Sequence, residues 1–148
     1  MIRLSNDALA RAIHQPLYER LISFCHKYTP ELPAEPVVVS WLNRVYSGDP
    51  SLHILLELDS HFNIIEHAVI DVQESFGSRI VICHQVQRNK GNIDSFTEGI
   101  EYIDKLCEQV NAACSVIFVA KHSKALQEKY GYHTTRSVMV KYATQDDI

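Results

Sequence analysis

Three short apolar runs, each closed by turn residues, occupy the middle of the chain and leave few options for its fold. The first is Leu52-His53-Ile54-Leu55-Leu56-Glu57-Leu58-Asp59. The second is Ile64-Ile65-Glu66-His67-Ala68-Val69-Ile70-Asp71-Val72, and the third runs from Arg79 to Val86. Ser60-His61-Phe62-Asn63 separates the first two, and Phe76-Gly77-Ser78 stands before the third. Apolar or β-branched runs of this length between turn residues predict strands in an antiparallel meander.

Helical patterns lie on either side of the meander. Ser5-Asn6-Asp7 forms an N-cap cluster, and Leu9, Ile13, Leu17, Leu21 and Phe24 follow at helical spacing. The chain is therefore expected to open with a long helix rather than a strand. Pro16 predicts a kink, or two helices meeting near His14-Gln15. Pro30 and Pro33 end that section. From Pro36 to Tyr46, Val37-Val38-Val39 favours a strand, whereas Val38, Trp41, Leu42 and Val45 suit an amphipathic helix opened by Pro36. The helix is preferred, because Ser47-Gly48-Asp49-Pro50 makes a C-terminal stop.

Beyond the third run, Asp94-Ser95 predicts a cap for a helix whose stripe is Phe96, Ile100, Ile103, Leu106 and Val110. A strand over Ser115–Ala120, a helix over Ser123–Tyr130 closed by Gly131, and a last strand near Val138–Tyr142 complete the pattern. The fold class expected is α/β (α+β), with a mixed, mostly antiparallel twisted sheet flanked by helices. It forms one domain over 1–148, with a helical section at 1–48 and a sheet-and-helix core at 52–142. No repeat or linker marks a boundary.

Composition narrows the functional classes. The 148 residues suffice for a core without covalent staples. A net charge of −4, with no long Lys/Arg cluster, gives no electrostatic footprint for nucleic acid. Cys25, Cys83, Cys107 and Cys114 show neither CxxC nor finger spacing, so reduced thiols and a cytoplasmic location are expected. No apolar run approaches membrane-spanning length, and Met1-Ile2-Arg3 does not begin a signal peptide, so no membrane association is expected. His53, His61, His67 and His84 fall on neighbouring strands or their turns, but no pair has the spacing of a metal site, and none is assigned.

The turn Gln87-Arg88-Asn89-Lys90-Gly91-Asn92-Ile93 stands directly before the third long helix. A helix start offers unpaired N–H groups and the positive end of the macrodipole to an anion. Gly91 allows close backbone approach, and Arg88 and Lys90 add charge. With the meander before it and the strand, helix and Gly131-Tyr132 after it, this order resembles the GNAT-type N-acetyltransferase superfamily over roughly Leu52 to Tyr142.

The resemblance implies acetyl-CoA as cosubstrate and a small-molecule or protein amine as acceptor. It implies pyrophosphate held by main-chain N–H groups of Asn89, Lys90, Gly91, Asn92 and Ile93, with Arg88 and Lys90 as supporting charges. Main chain around Cys83 to Val86 would polarise the thioester where the fourth strand opens from the fifth. A base is needed near that strand, and His84, Glu74 and Glu66 are the choices. His84 is a residue type that titrates near neutrality, Glu74 is expected in a meander turn, and Glu66 on the open face of the sheet. The last strands of the family often pair between subunits, which allows a homodimer.

Two positions depart from the family pattern. Ile93 stands where Gly or Ala is usual, and Gln127 stands where a Tyr often returns the proton to the leaving thiolate. A second reading therefore keeps the fold as a binding or assembly module without turnover, a class that includes small phage accessory proteins.

Overall fold

In the computed structural model, residues 1–75, 77–87, 93–118 and 123–133 are described. The chain runs β1 (Ile2–Arg3), α1 (Ala8–Tyr28), α2 (Ala34–Tyr46), β2 (Leu52–Leu58), β3 (Ile64–Ser75), β4 (Ser78–Gln87), α3 (Ile93–Val110), β5 (Cys114–Ile117) and α4 (Ser123–Tyr130). The sheet order is β1-β2-β3-β4-β5. The first four strands are antiparallel neighbours, and β5 joins β4 in parallel after the α3 crossover. This is the mixed, mostly antiparallel sheet expected. The last strand expected, Val138–Tyr142, lies outside the described residues.

The opening of the chain differs from expectation. A two-residue strand precedes α1, with Ile2 opposite Leu56 and Arg3 opposite Leu55. Two residues carry no periodicity, so the pairing was invisible in the sequence. The helix behind it is capped as read, with the Asp7 carboxylate accepting from the Ala10 N–H at 2.9 Å. Pro16 breaks nothing, and α1 is one helix of 21 residues. Pro16 and Ala12, whose carbonyl it leaves without its helical donor, are both exposed, so that carbonyl is not shut away from solvent.

Both faces of the sheet are covered. On one face α1 and α2 bring Leu17, Leu21, Val38 and Leu42 against Ile54, Leu56 and Val69. On the other, α3 brings Ile103 and Leu106 against Leu55, Ala68, Ile70, Val81 and Cys83. Neighbours along β2 and β3 thus serve opposite cores, which is why these strands read as continuous apolar runs rather than alternating ones. Full burial of one such side chain is worth about 1.5–3 kcal/mol.

Two local expectations shift. Asp94 and Ser95 lie inside the first turn of α3, which begins at Ile93. Glu66 is not on an open face. It is 1 % exposed, because α3 closes over that side of β3. Among the described residues no helix is long and apolar enough to cross a membrane.

Candidate active site

The pairing of β3 with β4 slips at one point. Ile70 stands opposite Cys83, and Val69 opposite Gln85, so His84 is an extra residue without a partner of its own. A bulge of this kind bends the strand and re-aims side chains. Cys83 packs into the core under α3. Gln85 reaches the other way, donating from its amide to Cys25 Sγ at 3.1 Å on α1. His84 also lies on that face, its ring 5.5 Å from Trp41 of α2 and 6.0 Å from Phe118 just past β5.

His84 has an acidic neighbour on the adjoining strand. Its Nε2 is 3.6 Å from Oδ2 of Asp71, whose side chain is only 3 % exposed. Asp71 is held from three further directions. Arg44 of α2 donates from Nη2 to Oδ1 at 2.9 Å and from Nη1 to Oδ2 at 3.1 Å, and Gln73 donates to Oδ2 at 2.9 Å. Arg44 is itself fixed by Nε donating to Asp49 at 2.7 Å. Burial works against ionisation of Asp71, but His84, Arg44 and Gln73 outweigh it and keep the carboxyl well below the usual carboxylate range. An ionised carboxylate thus sits behind the imidazole.

The described part of the β4–β5 ladder ends at the same place. The β4–β5 ladder covers Ile80 to Cys83, and the Phe118 N–H donates to the Cys83 carbonyl at 3.2 Å. Among the described residues no β5 partner is paired with β4 beyond that point. On the α3 face a cavity of about 20 Å³ lies between Ala68, Cys83, Val86, Ile100, Ile103 and Ile117. It has room for about one water. The Cys83 thiol is sealed in this layer, burial pushing it up to about 12, so only the main chain of Cys83 is available for chemistry. Val86 lies three positions further along β4, past the last described rung.

Of the sequence-derived candidates, Cys83 is at the last described rung of that ladder, and His84 and Val86 follow it on β4. Ile93 is the first residue of α3, and Arg88, Asn89, Lys90, Gly91 and Asn92 lie outside the described residues. Glu66 faces the α3 layer, on the opposite side of the sheet from His84. Glu74 is at the end of β3 rather than in a turn. It stands opposite Arg79, its side chain largely exposed and 3.5 Å from the Arg79 guanidinium. That is about 20 Å along β4 from Val86, so the structure does not bring Glu74 to the end of the ladder.

His53 and His67 point to opposite faces and are engaged within the fold. The His53 Nε2–H donates to the Pro50 carbonyl at 3.1 Å, leaving Nδ1 to accept from the Tyr102 hydroxyl at 2.6 Å. On α4, Gln127 is exposed and the Tyr130 hydroxyl lies 3.0 Å from Thr97 Oγ1 on α3.

Trp41, Arg44 and Asp71 were not foreseen as part of this site. The available signal was an aspartate inside the apolar run Ile70-Asp71-Val72, at the same in-out parity as Val69.

No family model and no curated protein sequence matches the chain. Solved structures do. An acetyltransferase from Trypanosoma brucei is 12 % identical with a TM-score of 0.62, covering 95 % of this chain and 96 % of that one. A predicted acetyltransferase with acetyl-CoA from Clostridium acetobutylicum is 13 % identical, with a TM-score of 0.62 over 84 % and 89 % of the two chains. Glucosamine-6-phosphate N-acetyltransferase from Arabidopsis thaliana is 12 % identical, with a TM-score of 0.61 over 86 % and 93 %. The fold is that of the GNAT-type acetyltransferases.

Proposed function

We propose that this chain transfers an acetyl group from acetyl-CoA to an amine, by direct attack in a ternary complex. The observation that carries the reading is a coincidence at one point of the sheet. The bulge at His84, the last described rung of the β4–β5 ladder at Cys83 and the α3-side cavity meet there.

The residues present fit the coenzyme. Val86 and Gln87 at the end of β4 line one cavity with Gly99 and Ile100 of α3, which supports a place for the first-turn N–H groups of α3 close to the end of β4. Arg88, Asn89, Lys90, Gly91 and Asn92 would complete that cradle. Bound acetyl-CoA would supply the activated acyl group as a thioester. Val86 is the strand position whose main chain would orient its carbonyl, and His84 would take the proton from the attacking ammonium through Nδ1. The layers under α1, α2 and α3 exclude water from either side.

A second reading, a binding or assembly module without turnover, is favoured by Gln127, which is exposed and has no phenolic proton to give.

Acetyl-CoA at 100 times its Kd should stabilise the fold by about 2.7 kcal/mol and raise Tm by about 5 °C or more. Gly91→Trp should abolish that shift while leaving the unliganded Tm in place. A shift without CoA release across a panel of amines would select the module. No shift at all would remove the coenzyme from the reading.

A further inference from the structure

His84 is clamped in three dimensions. Phe118 stacks on its ring at an interplanar angle of 28° and Trp41 lies tilted against it at 35°, which restricts the plane of the imidazole. Within that plane, Nε2 is the nitrogen turned to Asp71. Asp71 is clamped in turn by the two-pronged contact from Arg44 and by Gln73, so its oxygens are not free to follow the ring. Five residues, from α2, β3 and the end of β5, therefore define one orientation of one side chain on β4.

We infer that Asp71 is a positioning residue for His84, with Arg44 as its clamp: the carboxylate holds the Nε2–H tautomer and leaves the Nδ1 lone pair as the site that accepts a proton. This rests on the transferase reading for its catalytic meaning, but the tautomer is a property of the folded chain alone.

A carboxylate accepts hydrogen bonds and donates none, so the bare nitrogen of a neutral imidazole is repelled by it and the N–H is drawn to it. At 3.6 Å the contact is longer than a hydrogen bond, and it acts here as a charge on a dipole. Closing that gap when substrate binds would strengthen the same preference. Among the described residues the charged groups facing the ring are Asp71 from β3 and, behind it, Arg44 from α2. Replacing Asp71 by Asn removes the charge that sets this preference without removing side-chain volume. Arg44 and Gln73 still donate to the remaining oxygen, so the preference is weakened rather than inverted.

The experiment uses the full chain labelled with 15N at histidine, read by long-range 1H–15N correlation in alkaline buffer where imidazoles are neutral. His84→Gln identifies the signal. The wild type should show the proton on Nε2, and Asp71→Asn should shift a measurable share of it to Nδ1. In parallel, CoA release from acetyl-CoA with a panel of amines should fall at least about tenfold in kcat for Asp71→Asn, with KM for acetyl-CoA unchanged. A proton on Nδ1 in the wild type overturns the assignment, as does an Asp71→Asn protein that keeps both tautomer and kcat. Should Asp71→Asn fail to fold, the wild-type spectrum alone decides. A wild type with Nε2–H and no turnover on any amine removes the transferase reading and leaves the positioning intact. Turnover with the opposite tautomer does the reverse.

Discussion

His67 uses its whole hydrogen-bonding capacity inside the fold. Arg20 Nε–H donates to Nδ1 at 2.9 Å, so Nε2 carries the proton and donates to Gln85 Oε1 at 3.0 Å. Arg20 also donates to the carbonyls of Ile64 and Ile65. Burial, aided by the charge of Arg20 and opposed by Gln85, pushes the imidazole down to about 4 from 6.5. Between those values the unfolded chain takes up a proton that the native chain refuses, so stability is lost as pH falls through that window. The loss reaches about 3 kcal/mol by its acid end. Asp71 adds a second loss only at lower pH, because its folded value is depressed below that of an ordinary aspartate. Urea melts at stepped pH should show the first loss in the wild type and a flatter curve for His67→Gln over the same window. Residue types with their spacing indicated His84 as a candidate. They gave no sign of its companions, because Trp41, Arg44 and Asp71 are joined to it only by the packing of α2 on the sheet.

The helices were read more completely than their exceptions. The N-cap at Asp7 and the apolar stripe of α2 are where the sequence put them, since both depend on neighbours within a turn. Pro16 is instructive because composition argued for a break and the environment removed the need for one. Its exposed position implies that the helix is kept together by Ile13, Leu17 and Leu21 beneath it, at some cost in backbone hydrogen bonding. Pro16→Ala restores a donor to the Ala12 carbonyl and disturbs no buried contact. It should stabilise the protein by about 1–2 kcal/mol, the roughly 3 kcal/mol helix penalty of proline being partly offset by a freer unfolded chain. A midpoint in urea that falls instead would show that the ring makes a contact worth more than the missing bond. β1 escaped notice for the opposite reason, as two residues paired with Leu56 and Leu55, far along the chain, leave no local pattern.

At the scale of the molecule, the apolar runs were enough to give the meander, but the covering of both sheet faces was not read from them, and Glu66 was expected on an open one. The bulge, the depth of Glu66 and the clamp on His84 were not legible, since each exists only once strands are paired and helices are docked. The layered arrangement makes the four thiols reporters at different depths. Cys25 and Cys83 are buried in the two cores, Cys107 is half-buried and Cys114 is exposed. Burial raises the pKa of Cys25, Cys83 and Cys107 alike, which holds them as unreactive thiols. With an aromatic disulfide reagent, the native protein should release one equivalent quickly from Cys114. Cys25 and Cys83 should follow only at the rate of global opening. Fast reaction at Cys83 would mean that the α3 layer lifts independently of the rest.

The slip at His84 has an evolutionary corollary. Remove that one position and the strand regains strict alternation, with Cys83 still turned to one layer and Gln85 to the other, so no hydrophobic side chain changes sides. The imidazole is thus a supernumerary position, one that selection is free to rewrite without disturbing the frame on either side of it. A chemistry placed there is easily gained and easily lost, while the architecture around it endures.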